Sequence, residues 1–100
     1  MSVYHLTEKF PTAERFGLTA QMRRAAVSIM SNIAEGAGRG TDKEFVAFLR
    51  IARGSLHEVE SQSLLAQRLS FGAADALANV FECVGQTGRL LHGLMRALKS

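Results

Sequence analysis

The sequence predicts an all-α protein, an up-and-down four-helix bundle with a shortened first helix. Three observations carry this. Apolar residues recur by fours and threes over three long stretches, the spacing of one helix face. The breaks between them are short and rich in glycine, which makes consecutive helices antiparallel neighbours. A single proline, no tryptophan and few runs of β-branched residues leave little to build a sheet.

The first element is expected over residues 2 to 10, with Val3, Leu6 and Phe10 on its apolar side. It is too short to be stable alone. Pro11 ends it, Thr12 to Phe16 suggests a brief turn, and Gly17 breaks the chain again. Thr19 is the expected N-cap of the second helix, which runs from about Ala20 to Gly36 with Met22, Ala26, Ile29 and Ile33 as its seam. Val27, Met30, Ala34 and Ala37 add a second apolar flank, so this helix is expected to have more than one neighbour.

Gly36, Gly38 and Gly40 mark the next break, and Thr41 with Glu44 forms a capping box. The third helix then extends to about Leu69. Its seam is Phe45, Leu49, Ala52, Leu56, Val59, Ser63 and Ala66, widened by Phe48 and Ile51. Phe71-Gly72 makes a turn. The fourth helix runs from about Ala73 to Leu98 along Leu77, Phe81, Val84, Gly88, Leu91, Met95 and Leu98. Counting back from the turn brings Ser55 level with Gly88, a place for two backbones to approach; the alternative is a kink near Gly85.

One hundred residues with 47% hydrophobic and 21% charged side chains fit one globular domain with a core of its own. Cys83 is the only cysteine, which excludes an internal disulfide and a cysteine-rich metal site. The start lacks the layout of a secretion signal, and no apolar run is long enough to span a membrane. A cytoplasmic protein is the expectation. The net charge of +3 is carried by nine arginines and three lysines. Arginine's planar fork suits phosphate as well as interhelical carboxylates.

The second helix carries an unusual stripe. Gln21, Arg24, Ser28, Asn32 and Glu35 recur at helical spacing, with small hydrogen-bonding groups in the middle and charges at the ends. Such a stripe is expected against another helix, with Ser55 and Glu58 of the third helix opposite it. Arg24 is expected to pair with Glu58, or with Glu35 of a neighbouring subunit, fixing register more than adding stability. The stripe offers no nucleophile beside a base, so no enzymatic chemistry is read from it.

The loop from Gly36 to Lys43 puts glycines, Arg39 and Lys43 near a helix N-terminus, where free N–H groups attract anions. It lacks the preceding strand and the lysine-serine pair of nucleotide-binding loops, and reads first as a helix stop and start. His57-Glu58-Val59-Glu60-Ser61 begins like a zinc-protease signature, but Ser61 stands where the second histidine is required. With His5 and His92 isolated, no metal and no cofactor is expected. Arg15, Arg23, Arg39, Lys43, Arg50, Arg53 and Arg68 are possible nucleic-acid contacts; Arg39, Lys43, Arg50 and Arg53 cluster toward one end of the third helix. Tyr4 is the only tyrosine, so binding is expected to phosphate and not by base stacking.

Several runs resemble one family. They include Phe10-Pro11, Glu14-Arg15-Phe16-Gly17-Leu18, Gln21-Met22-Arg23-Arg24-Ala25-Ala26-Val27-Ser28-Ile29, Ser31-Asn32-Ile33-Ala34-Glu35-Gly36 and Ile51-Ala52-Arg53-Gly54-Ser55-Leu56. The family is the four-helix-bundle proteins encoded in intervening sequences of bacterial 23S ribosomal RNA genes. The accessory variability determinants of diversity-generating retroelements are similar. The resemblance covers residues 8 to 70 by motif and the rest by pattern. It implies a homopentamer; the retroelement members further imply RNA or DNA and a reverse transcriptase as partners. Two departures stand out. Met30 replaces the family's usual proline, so the second helix should be straighter. Only nine residues precede Phe10, through a late start or a true loss of several turns. A first helix so short is expected to leave an apolar groove that another subunit covers or that makes the protein poorly soluble. The expected function is a non-enzymatic, oligomeric bundle that binds nucleic-acid backbone; the alternative is a protein-interaction scaffold without nucleic-acid affinity.

Overall fold

The computed structural model describes residues 2–99. Helix α1 spans Ser2–Thr7, α2 Leu18–Ala37, α3 Asp42–Arg68 and α4 Ala74–Lys99, with a 3-10 turn at Thr12–Glu14 before α2. The three long helices have 20, 27 and 26 residues. At ~1.5 Å per residue, the longest spans roughly 40 Å, which sets the long axis of the 44 × 23 × 17 Å molecule. α3 is the central rod: α2 packs on one side of it and α4 on the other, while α1 bridges α2 and α4.

The seam of α3 is buried at Leu49, Ala52, Leu56, Val59, Ser63 and Ala66, as the spacing predicts. At its start Val46 takes the buried place expected of Phe45, which is half-buried, and Ile51 faces outward at 51% exposure. In α2, Met22, Ala26 and Ile29 are fully packed, but the expected second flank is not: Val27 is 50% and Met30 57% exposed. Ser63 is buried without cost because its hydroxyl donates to the Val59 carbonyl at 2.7 Å.

The helix ends follow local chemistry. Thr41 caps α3, its hydroxyl accepting from the Glu44 N–H at 3.2 Å. The Glu44 carboxylate reaches back to the same hydroxyl. The start of α2 departs from expectation. Its N-cap is Gly17, and Thr19 lies buried inside the helix. The capping role passes to Glu14, whose Oε1 accepts from the Leu18 N–H at 3.3 Å. The first helix stops at Thr7, three residues early, and the chain turns through Phe10. α4 runs unbroken through Gly85 and Gly88. Ser55 is not the residue that meets Gly88: a β-carbon there would touch Leu56 Cδ2, at 3.6 Å, while Ser55 turns toward α2.

Two glycines mark the closest approaches of the chain to its neighbours. Gly36 lies in the last turn of α2, where a β-carbon would be 2.7 Å from Phe48 Cβ and 3.0 Å from Phe45 Cδ1, so α2 and α3 meet there backbone to side chain. The α3–α4 turn is a Schellman motif: Phe71 N–H donates to Ala66 O at 2.9 Å and Ser70 N–H to Gln67 O at 3.2 Å. Ser70 stands in the left-handed region, φ 57°, as does Gly72, φ 78°. A β-carbon on Gly72 would lie 2.6 Å from Leu6 Cδ1. Phe71 packs its ring on Phe10, centroids 5.7 Å apart. The turn therefore clasps the first segment.

Candidate nucleic-acid interface and polar stripe

The stripe on α2 meets α3. Ser28 and Ser55 share a hydrogen bond of 2.7 Å between their hydroxyls, and Asn32 Nδ2 donates to the Ser28 hydroxyl at 3.0 Å and to its carbonyl at 2.8 Å. Gln21, Arg24, Glu58 and Gln62 line the shallow groove above this pair. Arg24 and Glu58 are both exposed and form no ion pair with each other; among the described residues the ion pair found is Arg39 Nη2 to Glu35 Oε1, at 2.9 Å. The expected Arg24–Glu58 pair within the chain is thus not made, and Glu35 is engaged by its own helix end. The reason is exposure: the charges sit at the solvent edge of the groove, where a long side chain gains little by ordering. Gln62 Oε1 is buried with no hydrogen-bond partner, a group that sequence spacing did not single out.

Four of the arginines singled out by the sequence fall in three places. Arg23 is tied to α1: its Nε donates to Thr7 Oγ1 at 2.9 Å and its guanidinium lies 4.7 Å from the centre of the Tyr4 ring. Arg39 lies over Phe48, 5.0 Å from the ring centre, at the α2–α3 end. Arg50 and Arg53 stand one turn apart on α3, both exposed. Arg53 leans on α4, its Nη1 4.0 Å from Met95 Sδ. Lys43 lies two turns before Arg50, exposed in the first turn of α3. Lys43, Arg50 and Arg53 take part in no ion pair among the described residues. Of the four predicted contacts, then, Lys43, Arg50 and Arg53 share a helix face, and Arg39 is held apart on the α2 side.

Sequence spacing missed the α4 side of this face. Arg89, His92 and Arg96 line a groove between α3 and α4, opposite His57 and Glu60 of α3. The signal was present in the spacing of 89, 92 and 96, which places all three on one helix face. Gly85, Gly88 and Gly93 also line the groove on α4. Each costs about 1 kcal/mol relative to alanine in a helix interior.

Among the described residues no group of three or more histidine, cysteine or acidic side chains gathers as a metal site. His57 and Glu58, the start of the incomplete zinc-like run, face different grooves. No helix of the described residues is long and apolar enough to cross a membrane.

A small cleft, almost wholly apolar, opens beside the N-terminal end of α1, between α2, α3 and α4. Val3, Ala26, Ile29, Leu56, Val80 and Val84 line it. Elsewhere on the surface Leu90 of α4 is 57% exposed, as are Val27 and Met30 of α2 to a similar degree.

Fold and grooves together define a small all-helical bundle with a short first helix and exposed arginines on α3 and α4. The family profile described as 23S rRNA-intervening sequence protein matches residues 1–93, and the chain belongs to that family. The match is wider than the 8–70 span that the motifs alone cover. No curated protein matches the sequence.

Proposed function

We propose that this protein is a non-enzymatic, oligomeric accessory protein that binds the backbone of structured RNA or DNA. The observation that carries the reading is the shared exposed face of Lys43, Arg50 and Arg53, none of them neutralised by an ion pair among the described residues. Unpaired cations on a rigid helix release counterions from a polyanion when they bind, without first breaking a bridge. The scarcity of exposed aromatics, Tyr4 and Phe16 apart, supports backbone contact over base stacking. Assembly into a homo-oligomer is supported by the apolar cleft beside α1 and by Val27, Met30 and Leu90. Several copies in one ring would also sum a charge that is modest in one chain.

The test is a titration of a structured RNA from low to physiological salt. A steep salt slope that collapses on replacing Arg39, Lys43, Arg50 and Arg53 supports the reading. No binding at low salt removes it. A second reading, a protein-interaction scaffold without nucleic-acid affinity, draws on the same apolar cleft, and that null titration would favour it.

A further inference from the structure

The glycines of α4 are not explained by packing within the protomer. A β-carbon at Gly93 would meet nothing within 4 Å, one at Gly85 only the Arg89 guanidinium at 3.5 Å, and one at Gly88 an ordinary contact. All three open into the α3–α4 groove, whose walls carry His57, Arg89, His92 and Arg96 and a single carboxylate, Glu60. Both arginines of the lining stand on α4, and Arg53 and Arg50 lie on the α3 side beyond His57, so a convex anionic ridge along the groove meets guanidinium groups of α4 within it and of α3 at its end.

We infer that the α3–α4 groove seats one phosphodiester strand of a structured nucleic acid, with α4 supplying a second row of phosphate contacts. The inference rests on the proposed function and locates it: the strand lies between two helices and not on the open face of α3 alone. Arg89 and Arg96 are two turns apart, roughly 10.5 Å along the axis, so they meet different phosphates of one strand. Arg50 and Arg53 continue the α3 wall beyond His57 by one-turn steps. Gly93, where a β-carbon would meet nothing within 4 Å, lets the ridge come close enough to α4 for the guanidinium groups there to reach its oxygens. Glu60 repels phosphate and marks one end of the track. A second copy of this chain fits the groove less well, since the chain is itself net positive, +3.

The experiment is an anisotropy titration of a short RNA hairpin over a salt series, with light scattering and circular dichroism on each protein. The Arg89→Gln, Arg96→Gln double variant is expected to bind about tenfold more weakly at moderate salt, its log–log slope reduced by about 2. Gly93→Leu, which removes no charge, is expected to weaken binding several-fold with the slope unchanged. Retention of full affinity and slope by the α4 double variant, while Arg50→Gln, Arg53→Gln loses them, overturns the groove and leaves the proposed function standing. Failure of the unmodified protein to bind at low salt removes both. A fall in oligomer mass in the α4 variant with RNA affinity intact makes the groove a contact between copies and also overturns the inference.

Discussion

Ser28 and Ser55 join α2 to α3 through a 2.7 Å hydrogen bond between hydroxyls, at a level where both flanking seams are apolar. Ser55 is buried, 6% exposed, so its hydroxyl is committed to this partner. Ser55→Ala should lower stability by about 1 kcal/mol, read as a shift in the denaturation midpoint with unchanged m-value. In the Ser28→Ala, Ser55→Ala double variant the losses should not add, the coupling being at least about 0.5 kcal/mol. Additive losses would show that the bond contributes nothing of its own.

Gly72 is the position where the clasp on α1 is least tolerant. Both its left-handed φ and the approach of Leu6 oppose a side chain. Gly72→Ala should cost about 1–3 kcal/mol and should raise amide exchange in α1 ahead of the long helices. Uniform loss of protection across the bundle would contradict the local nature of the clasp.

Ser70 is a serine where a Schellman motif favours glycine. Ser70→Gly should stabilise the protein by about 0.5–1 kcal/mol, the relief of left-handed strain exceeding the added freedom of the unfolded chain. Thermal melting at fixed concentration measures this; a lowered Tm would mean that the Ser70 hydroxyl contributes more than the strain costs.

Most of the fold was legible because it depends on periodicity. Leu49, Ala52, Leu56 and Val59 announce a buried face whatever they pack against. What was not legible depends on which neighbour lies on which side. Ser55 and Leu56 are adjacent in sequence, and nothing local says that the first turns to α2 and the second to Gly88. Thr19 looks like a cap because the sequence does not show that Glu14 can fold back to Leu18. The α4 half of the cationic groove escaped because Arg89, His92 and Arg96 are scattered among apolar residues. Only the pairing of α4 with α3 brings them opposite His57.

Arg24→Met tests the outer edge of the polar stripe. With no ion pair to lose within the chain, the protomer's stability should change by less than about 0.5 kcal/mol. If a second copy covers the stripe, light scattering should show weakened assembly at the same time. Unchanged mass together with unchanged stability would leave the stripe without a role in association.

If copies assemble through the apolar cleft, as proposed, Tm should rise with protein concentration, because copies that bind only the folded form shift the equilibrium toward it. A monomer by solution scattering, with a Tm independent of concentration, would count against assembly.

The clasp at the α3–α4 turn also sets an order of events. Leu6 waits for Gly72, Phe10 for Phe71 and Ser2 for Cys83, its Sγ 3.1 Å from the serine hydroxyl. Every one of these partners leaves the ribosome after α2 and α3 have been made. The α2–α3 hairpin, joined by a short loop, can close on its own meanwhile. The α1 segment can meet α2 early, through Arg23 with Thr7 and Tyr4, but its place is complete only once α4 has been made, and until then the α3 face that α4 covers stays open to other apolar surfaces.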